Sequence, residues 1–359
     1  MKKSILLIAA VAMALSACSD NEKINGSDEM EIGFNNALIG KQTRNAGEMT
    51  TATLATDGNT MEVWGWKTYN GTGTQVFKEQ EVKYNKNSKQ STTNWEYTPI
   101  KYWDKAASKY AFYAVAPNST KWDISAAKKI SLSLAGEELV QILEDKNGAS
   151  AVASGDAEAV DYLVATKVEG APVTLAANDV AFAFNHILSK FEVFVKTTEE
   201  FDKTTYPNIE LTKLSVQLEG MLPNYAQGTE GIVSASGDAW SGTAMEAKSI
   251  TCFDADGTKI TDLKLTKTAQ SLAKYLVAPT KKGDSFKDKY TVSVEYTINY
   301  SATEREDFVS NGNKLANLTK FEQDTYNTLT VTVGPQAIYF DVESVGGWSK
   351  GEDATISVE

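Results

Sequence analysis

Apolar residues in this chain recur at every second position, in short runs parted by turn residues. Val292, Val294, Tyr296 and Ile298 form one such run; Leu214, Val216 and Leu218 form another; Leu329, Val331 and Val333 a third. A period of two buries one face of an extended segment and leaves the other wet, whereas a helix would repeat near 3.6. Runs this short, divided by Asn-Gly, Asp-Gly and Gly-rich turns, predict an all-β chain, mainly β with a few short helices. One helix is predicted over Leu134–Lys146, where Leu139, Ile142 and Leu143 share a helical face. Glu137 and Glu138 stand near its start, and Asn147-Gly148 offers a stop. A hairpin is predicted where Asp254-Ala255-Asp256-Gly257 separates Ile250–Phe253 from Ile260–Leu265.

The chain has 359 residues, about two domains' worth. Glu199–Pro207 is polar and ends in proline, which places a boundary there. A short echo, Tyr113-Ala114-Val115-Ala116-Pro117 against Tyr162-Leu163-Val164-Ala165 and Tyr275-Leu276-Val277-Ala278-Pro279, suits two related β-sandwich units. The stretch from Trp95 to Pro117 holds Trp95, Tyr97, Tyr102, Trp103, Tyr110, Phe112 and Tyr113. Rings in this density are expected to fill a core; a sugar-stacking platform is the alternative.

The two ends of the chain differ from the middle. Lys2 and Lys3, the apolar run Ile5–Leu15 and the small residues before Cys18 form an export signal rather than a membrane span. Its Leu15-Ser16-Ala17-Cys18 ending is that of a bacterial lipoprotein signal, with lipid expected on Cys18. A polar tether follows. Met30, Ile32 and Phe34 then alternate with Glu29, Glu31 and Gly33, so a strand with one buried face is expected there. Lys41–Gly47 is polar, ends in glycine and contains Arg44, the type of loop that proteases cut. Cleavage between Arg44 and Asn45 would part the lipid and the strand from the rest. At the other end, Ile338, Phe340 and Val342 alternate, Val345–Trp348 turns, and Ala354, Ile356 and Val358 alternate again. An apolar strand there needs a groove to fill.

Several function classes lose support. A formal net charge of −12 without a basic stripe argues against nucleic acid. Cys18 and Cys252 are the two cysteines. With Cys18 lipidated no disulfide framework is expected, and Cys252 should pack as a small hydrophobe. His186, within Phe184-Asn185-His186-Ile187-Leu188, is expected to be structural, since no nucleophile motif accompanies it. Asp254-x-Asp256-Gly257 resembles part of a calcium loop, but Cys252 stands where the first ligand should be. No catalytic residues, no metal site and no cofactor are expected, and the chain is read as a non-enzyme.

Taken in order behind the export signal, three stretches resemble the fimbrillin family, the lipoprotein pilins of type V pili. They are Trp95–Pro117, Phe184-Asn185-His186-Ile187-Leu188-Ser189-Lys190-Phe191, and Asn327–Val333 with the strands that follow to Glu359. The resemblance implies two tandem transthyretin-like β-sandwich domains. It also implies removal of the N-terminal strand by an arginine-specific protease, and donor-strand exchange between subunits. Carried onto this chain, it assigns residues 1–17 to a lipoprotein signal peptide and 18–44 to the tether and removable strand. Residues 45–203 and 204–335 form the two sandwich domains, and 336–359 the donor tail. The removable strand is Met30, Ile32 and Phe34; the donor residues are Ile338, Phe340, Val342, Ile356 and Val358; the lipid is on Cys18 and the cut at Arg44–Asn45. Expected partners are other pilin subunits, the processing protease and the outer membrane, at the cell surface. A tail with two apolar strands argues against a tip subunit. Two other readings stand beside this one: a monomeric surface lipoprotein that binds glycan or host protein, and a secreted hydrolase.

Overall fold

The computed structural model describes residues 30–38, 51–90, 93–145, 159–177, 179–199, 208–233, 237–257, 263–283, 286, 289–301, 303–334 and 337–346. The expected Cys18, Arg44, Asn45, Ile356 and Val358 lie outside the described residues. The protein is all-β, as the alternation predicts; among the described residues the α-helices are the four-residue Thr51–Leu54 and Pro172–Leu175. The described strands form four sheets.

The first sheet runs, in order, Phe34–Leu38, Val180–His186, Leu163–Ala165, Lys109–Ala116, Thr60–Tyr69, Thr72–Tyr84 and Trp95–Glu96, with Val168–Gly170 also paired to Lys109–Ala116. The second runs Ile338–Gly346, Thr325–Val333, Ser189–Thr197, Gln270–Val277, Val140–Asp145. A third joins Lys248–Asp254, Asn208–Leu218, Thr291–Asn299 and Arg305–Lys314, and a fourth joins Trp240–Ser241, Asn224–Ala226, Ile130–Ser133 and Trp122–Ile124. Most neighbours are antiparallel; Phe34–Leu38 on Val180–His186 and Ser189–Thr197 on Thr325–Val333 are parallel.

Two apolar cores result. Strand Lys109–Ala116 divides them: Phe112, Ala114 and Ala116 point into a smaller core with Met61, Val63, Phe77, Phe182 and Phe184. Ala111, Tyr113 and Val115 point into a larger one that reaches Phe191, Leu214, Val292 and Leu329. Past the exposed Lys109, the strand is buried on both faces, with apolar or aromatic residues at every position from Tyr110 to Ala116. The aromatic stretch is core, as expected: Trp95, Tyr97, Trp103, Tyr110, Phe112 and Tyr113 are all buried. Cys252 is fully buried among apolar neighbours. Pairing runs across the segment 199–207 expected to divide the domains. Trp122–Ile124, Ile130–Ser133, Val140–Asp145 and Ser189–Thr197 all belong to sheets that contain strands from beyond residue 207.

Two local expectations are corrected. Leu134–Lys146 is not a helix: Gly136–Leu139 forms a single 3-10 turn, and Val140–Asp145 is a strand paired with Gln270–Val277. The register slips at Leu143, since Ile142 faces Tyr275 and Glu144 faces Lys274. That bulge inserts one residue into the alternation and makes a strand imitate helical spacing. The hairpin at Asp254–Gly257 is absent as well. Lys248–Asp254 and Leu263–Lys264 both run antiparallel to Asn208–Leu218, one after the other along the same side. The Asp254 carboxylate accepts the Asp256 N–H at 3.2 Å, so the turn interrupts the strand without reversing it.

Candidate functional site: the inserted N-terminal strand

Residues 30–38 are held on both sides by backbone. On one side the segment runs antiparallel to 101–103: the Ile32 N–H donates to the Lys101 carbonyl at 2.9 Å, and the Trp103 N–H to the Met30 carbonyl at 3.0 Å. At Gly33 it changes partner. The Val180 N–H donates to the Gly33 carbonyl at 2.8 Å, and from there Phe34–Leu38 lies parallel to Val180–His186, Phe34 beside Val180 and Leu38 beside Phe184. Two side-chain hydroxyls grip the crossover. Tyr97 donates to the Ile32 carbonyl at 2.8 Å, and Thr93 donates to the Phe34 carbonyl. Burial drives the Tyr97 hydroxyl well above the usual phenol range, which keeps it a donor at any physiological pH.

Ile32 and Phe34 are completely buried. The Phe34 ring meets four others: Phe77 at 5.3 Å, Tyr97 at 5.4 Å, Phe182 at 5.8 Å and Phe112 at 6.1 Å between centroids. Burying two side chains of this size contributes about 1.5–3 kcal/mol each. Met30 departs from expectation. It is 43% exposed, because the segment has only begun its pairing with 101–103 and has not yet entered the groove. Its backbone carbonyl, not its side chain, does the binding.

The tail residues within the described chain sit in the second sheet. Ile338–Gly346 pairs antiparallel with Thr325–Val333, placing Ile338 opposite Val333, Phe340 opposite Val331 and Val342 opposite Leu329. Phe340 and Val342 are buried in the larger core, and Ile338 packs against it. This strand therefore completes the sheet of its own chain.

His186 is buried, and its Nδ1 lies 3.0 Å from Asp161 Oδ2. Asp324 is close by; desolvation pushes its carboxyl up to about 6, with His186 opposing the rise and Asp161 adding to it. This buried His186–Asp161 contact lies at the end of strand Val180–His186. Among the described residues, no cluster of three or more His, Cys, Asp or Glu side chains could hold a metal ion. No helix among them is long and apolar enough to cross a membrane.

Of the groove residues, Tyr97 and Trp103 are expected from the sequence only as core rings, and Thr93, Lys101, Asp179 and Val180 carry no sequence signal, since they are scattered and bind mostly through backbone. One sequence signal does bear on the strand: the chain has two arginines, Arg44 and Arg305. Arg305 lies in a strand paired with Thr291–Asn299 and is ion-paired with Asp307.

Fold and groove together define an all-β protein of packed sheets, completed by a short N-terminal strand laid among aromatic side chains. The fimbrillin-like family model matches residues 43–348, and the chain belongs to that family. The match begins after the inserted strand. Over almost the full length of both proteins (99% of each), the chain is 22% identical to fimbrium subunit Fim1C of Phocaeicola vulgatus. A solved fimbrial protein from Bacteroides vulgatus shares the fold, with a TM-score of 0.50 at 14% identity, covering 89% of this chain and 99% of that one.

Proposed function

We propose that this protein is a structural subunit of a cell-surface fimbria that polymerises by strand exchange and supports adhesion. The observation that carries the reading is the inserted strand. Residues 30–38 fill a groove with two fully buried side chains, and they precede a polar stretch of sequence that contains one of only two arginines. An arginine-specific protease that cuts between Arg44 and Asn45 leaves this strand held by noncovalent contacts alone. Its departure opens unpaired backbone along 101–103 and Val180–His186, together with an apolar slot, and such an edge takes up another extended segment. A tail strand from a second subunit has the same period and can fill it. Because donor and groove lie at different places on each subunit, the contact is head-to-tail and propagates as a filament where the rotation does not close.

Within the tail, the second apolar run suits the donor role better than the first, because Ile338–Gly346 already serves its own sheet. Ile356 and Val358 are then the residues that enter a neighbour's groove. Lipid on Cys18 carries the precursor to the outer membrane until the cut releases it. The family, and the relative named a fimbrium subunit, support surface assembly with other pilin subunits. The monomeric glycan-binder reading loses its motive, since the aromatic stretch lies in the core.

Arg44→Ala tests the reading. The variant is expected to stay a monomer with residues 30–38 attached, where the wild type treated with an arginine-specific protease forms fibres visible by electron microscopy. Wild-type protein shown by N-terminal sequencing to be cut at Arg44, yet monomeric at high concentration, would refute strand exchange.

A further inference from the structure

Between the buried Ile32 and Phe34, Gly33 passes against the side chain of Asp179. A Cβ placed on Gly33 would stand 2.0 Å from Asp179 Oδ1 and 2.7 Å from its Cγ, far inside any nonbonded contact. The backbone has little room to retreat. The Gly33 carbonyl is bonded to the N–H of Val180, the residue next to Asp179. The Ile32 carbonyl is bonded to Tyr97, and the Phe34 carbonyl to Thr93. Thr93 Oγ1 also lies 3.4 Å from Asp179 Oδ2, so the carboxyl sits in the angle between the strand and the Thr93 hydroxyl.

Building on the strand-exchange reading above, we propose that Asp179 is the specificity-determining residue of the groove. It admits without adjustment only a strand with glycine at the crossover and an apolar residue on either side. The chain's own Ile32-Gly33-Phe34 meets that demand. The second tail run, Ala354-Thr355-Ile356-Ser357-Val358, does not. With Ile356 and Val358 in the places of Ile32 and Phe34, Ser357 stands against Asp179, and the carboxyl must rotate away before the strand can seat. Asp179 therefore favours the subunit's own strand over the tail of a second copy. It slows uptake of the tail after the cut.

The test uses the full chain. Hydrogen exchange of the Val180 and Ile32 amides reports how firmly residues 30–38 are seated. Gly33→Ala is expected to raise both exchange rates by about tenfold or more, the scale of overpacking by one methyl group. Asp179→Ala is expected to return them toward the wild-type rates in the Gly33→Ala background. Should Gly33→Ala not fold, recovery of folding in the double variant makes the same point. After cutting at Arg44, Asp179→Ala is expected to form fibres faster than the wild type by light scattering. Unchanged exchange in Gly33→Ala, or no rescue by Asp179→Ala, would overturn the assignment. So would equal fibre rates in a cut wild type that does assemble. A cut wild type that never assembles would instead remove the strand-exchange reading, and the selector role with it.

Discussion

The chain's first and last described strands, Phe34–Leu38 and Ile338–Gly346, are held differently. The C-terminal one is nine residues long and pairs antiparallel along its whole length with Thr325–Val333. The N-terminal one is five residues long, runs parallel to its partner and depends on a switch of partner at Gly33. Its attachment combines a five-residue ladder with two fully buried side chains and the hydroxyl contacts of Tyr97 and Thr93. A shorter ladder leaves a larger share of the attachment to single side chains. On the proposed strand exchange, the N-terminal strand is the one that leaves and the C-terminal strand the one that stays.

Deletion offers the sharpest test of this contrast. Removing residues 336–359 strips the edge from the second sheet and uncovers Phe340 and Val342 sites in the larger core, so the protein is expected to lose its cooperative thermal transition. Removing only 350–359 should leave the melting temperature within a degree or two while abolishing fibre formation by cut protein. Equal stability of the two deletions would break the comparison.

Single side chains come next. Phe34→Ala empties a slot lined by four rings and is expected to cost about 3–5 kcal/mol in urea unfolding. Phe340→Ala, at the sheet edge and slightly exposed, should cost less, about 2–3 kcal/mol.

A smaller effect is expected at Asp324, which precedes the strand that carries the C-terminal one. Its carboxyl is raised from the ordinary 3.8 to about 6, by desolvation first and by Asp161 second. The sign follows from linkage. A carboxyl raised in the folded state adds stability below its unfolded value and loses it as pH climbs through about 6. At pH 7 the charged form is a burden. Asp324→Asn also keeps a residue that tolerates the positive φ of 55° found there. It is expected to stabilise the protein by about 1–2 kcal/mol at pH 7, a gain that disappears near pH 4. Urea titrations at the two pH values check it.

The smallest effect is expected at Met30. Its side chain is 43% exposed, and the Met30→Ala change should shift stability by less than about 0.5 kcal/mol. A loss as large as that of Phe34→Ala would mean that the groove extends one residue further than the hydrogen bonds indicate.

Much of this was legible in the residues alone. Alternation at period two assigned the β class and the burial of Ile32, Phe34, Phe340 and Val342, because the pleat sends neighbouring side chains to opposite faces whatever the rest of the chain does; the density of rings placed Trp95–Pro117 in the core. Sequence could not reveal where strands find partners, since pairing joins residues more than a hundred positions apart, such as Lys190 and Tyr326. Only the tertiary structure turned Val140–Asp145, part of an apparent helix, into a bulged strand, by pairing it with Gln270–Val277. It alone showed that Ile338–Gly346 belongs to its own sheet, and it alone brought Asp179 against Gly33. Local period is a property of the backbone and travels with the sequence; the contact of a carboxyl with a distant glycine exists only once the sheets have packed.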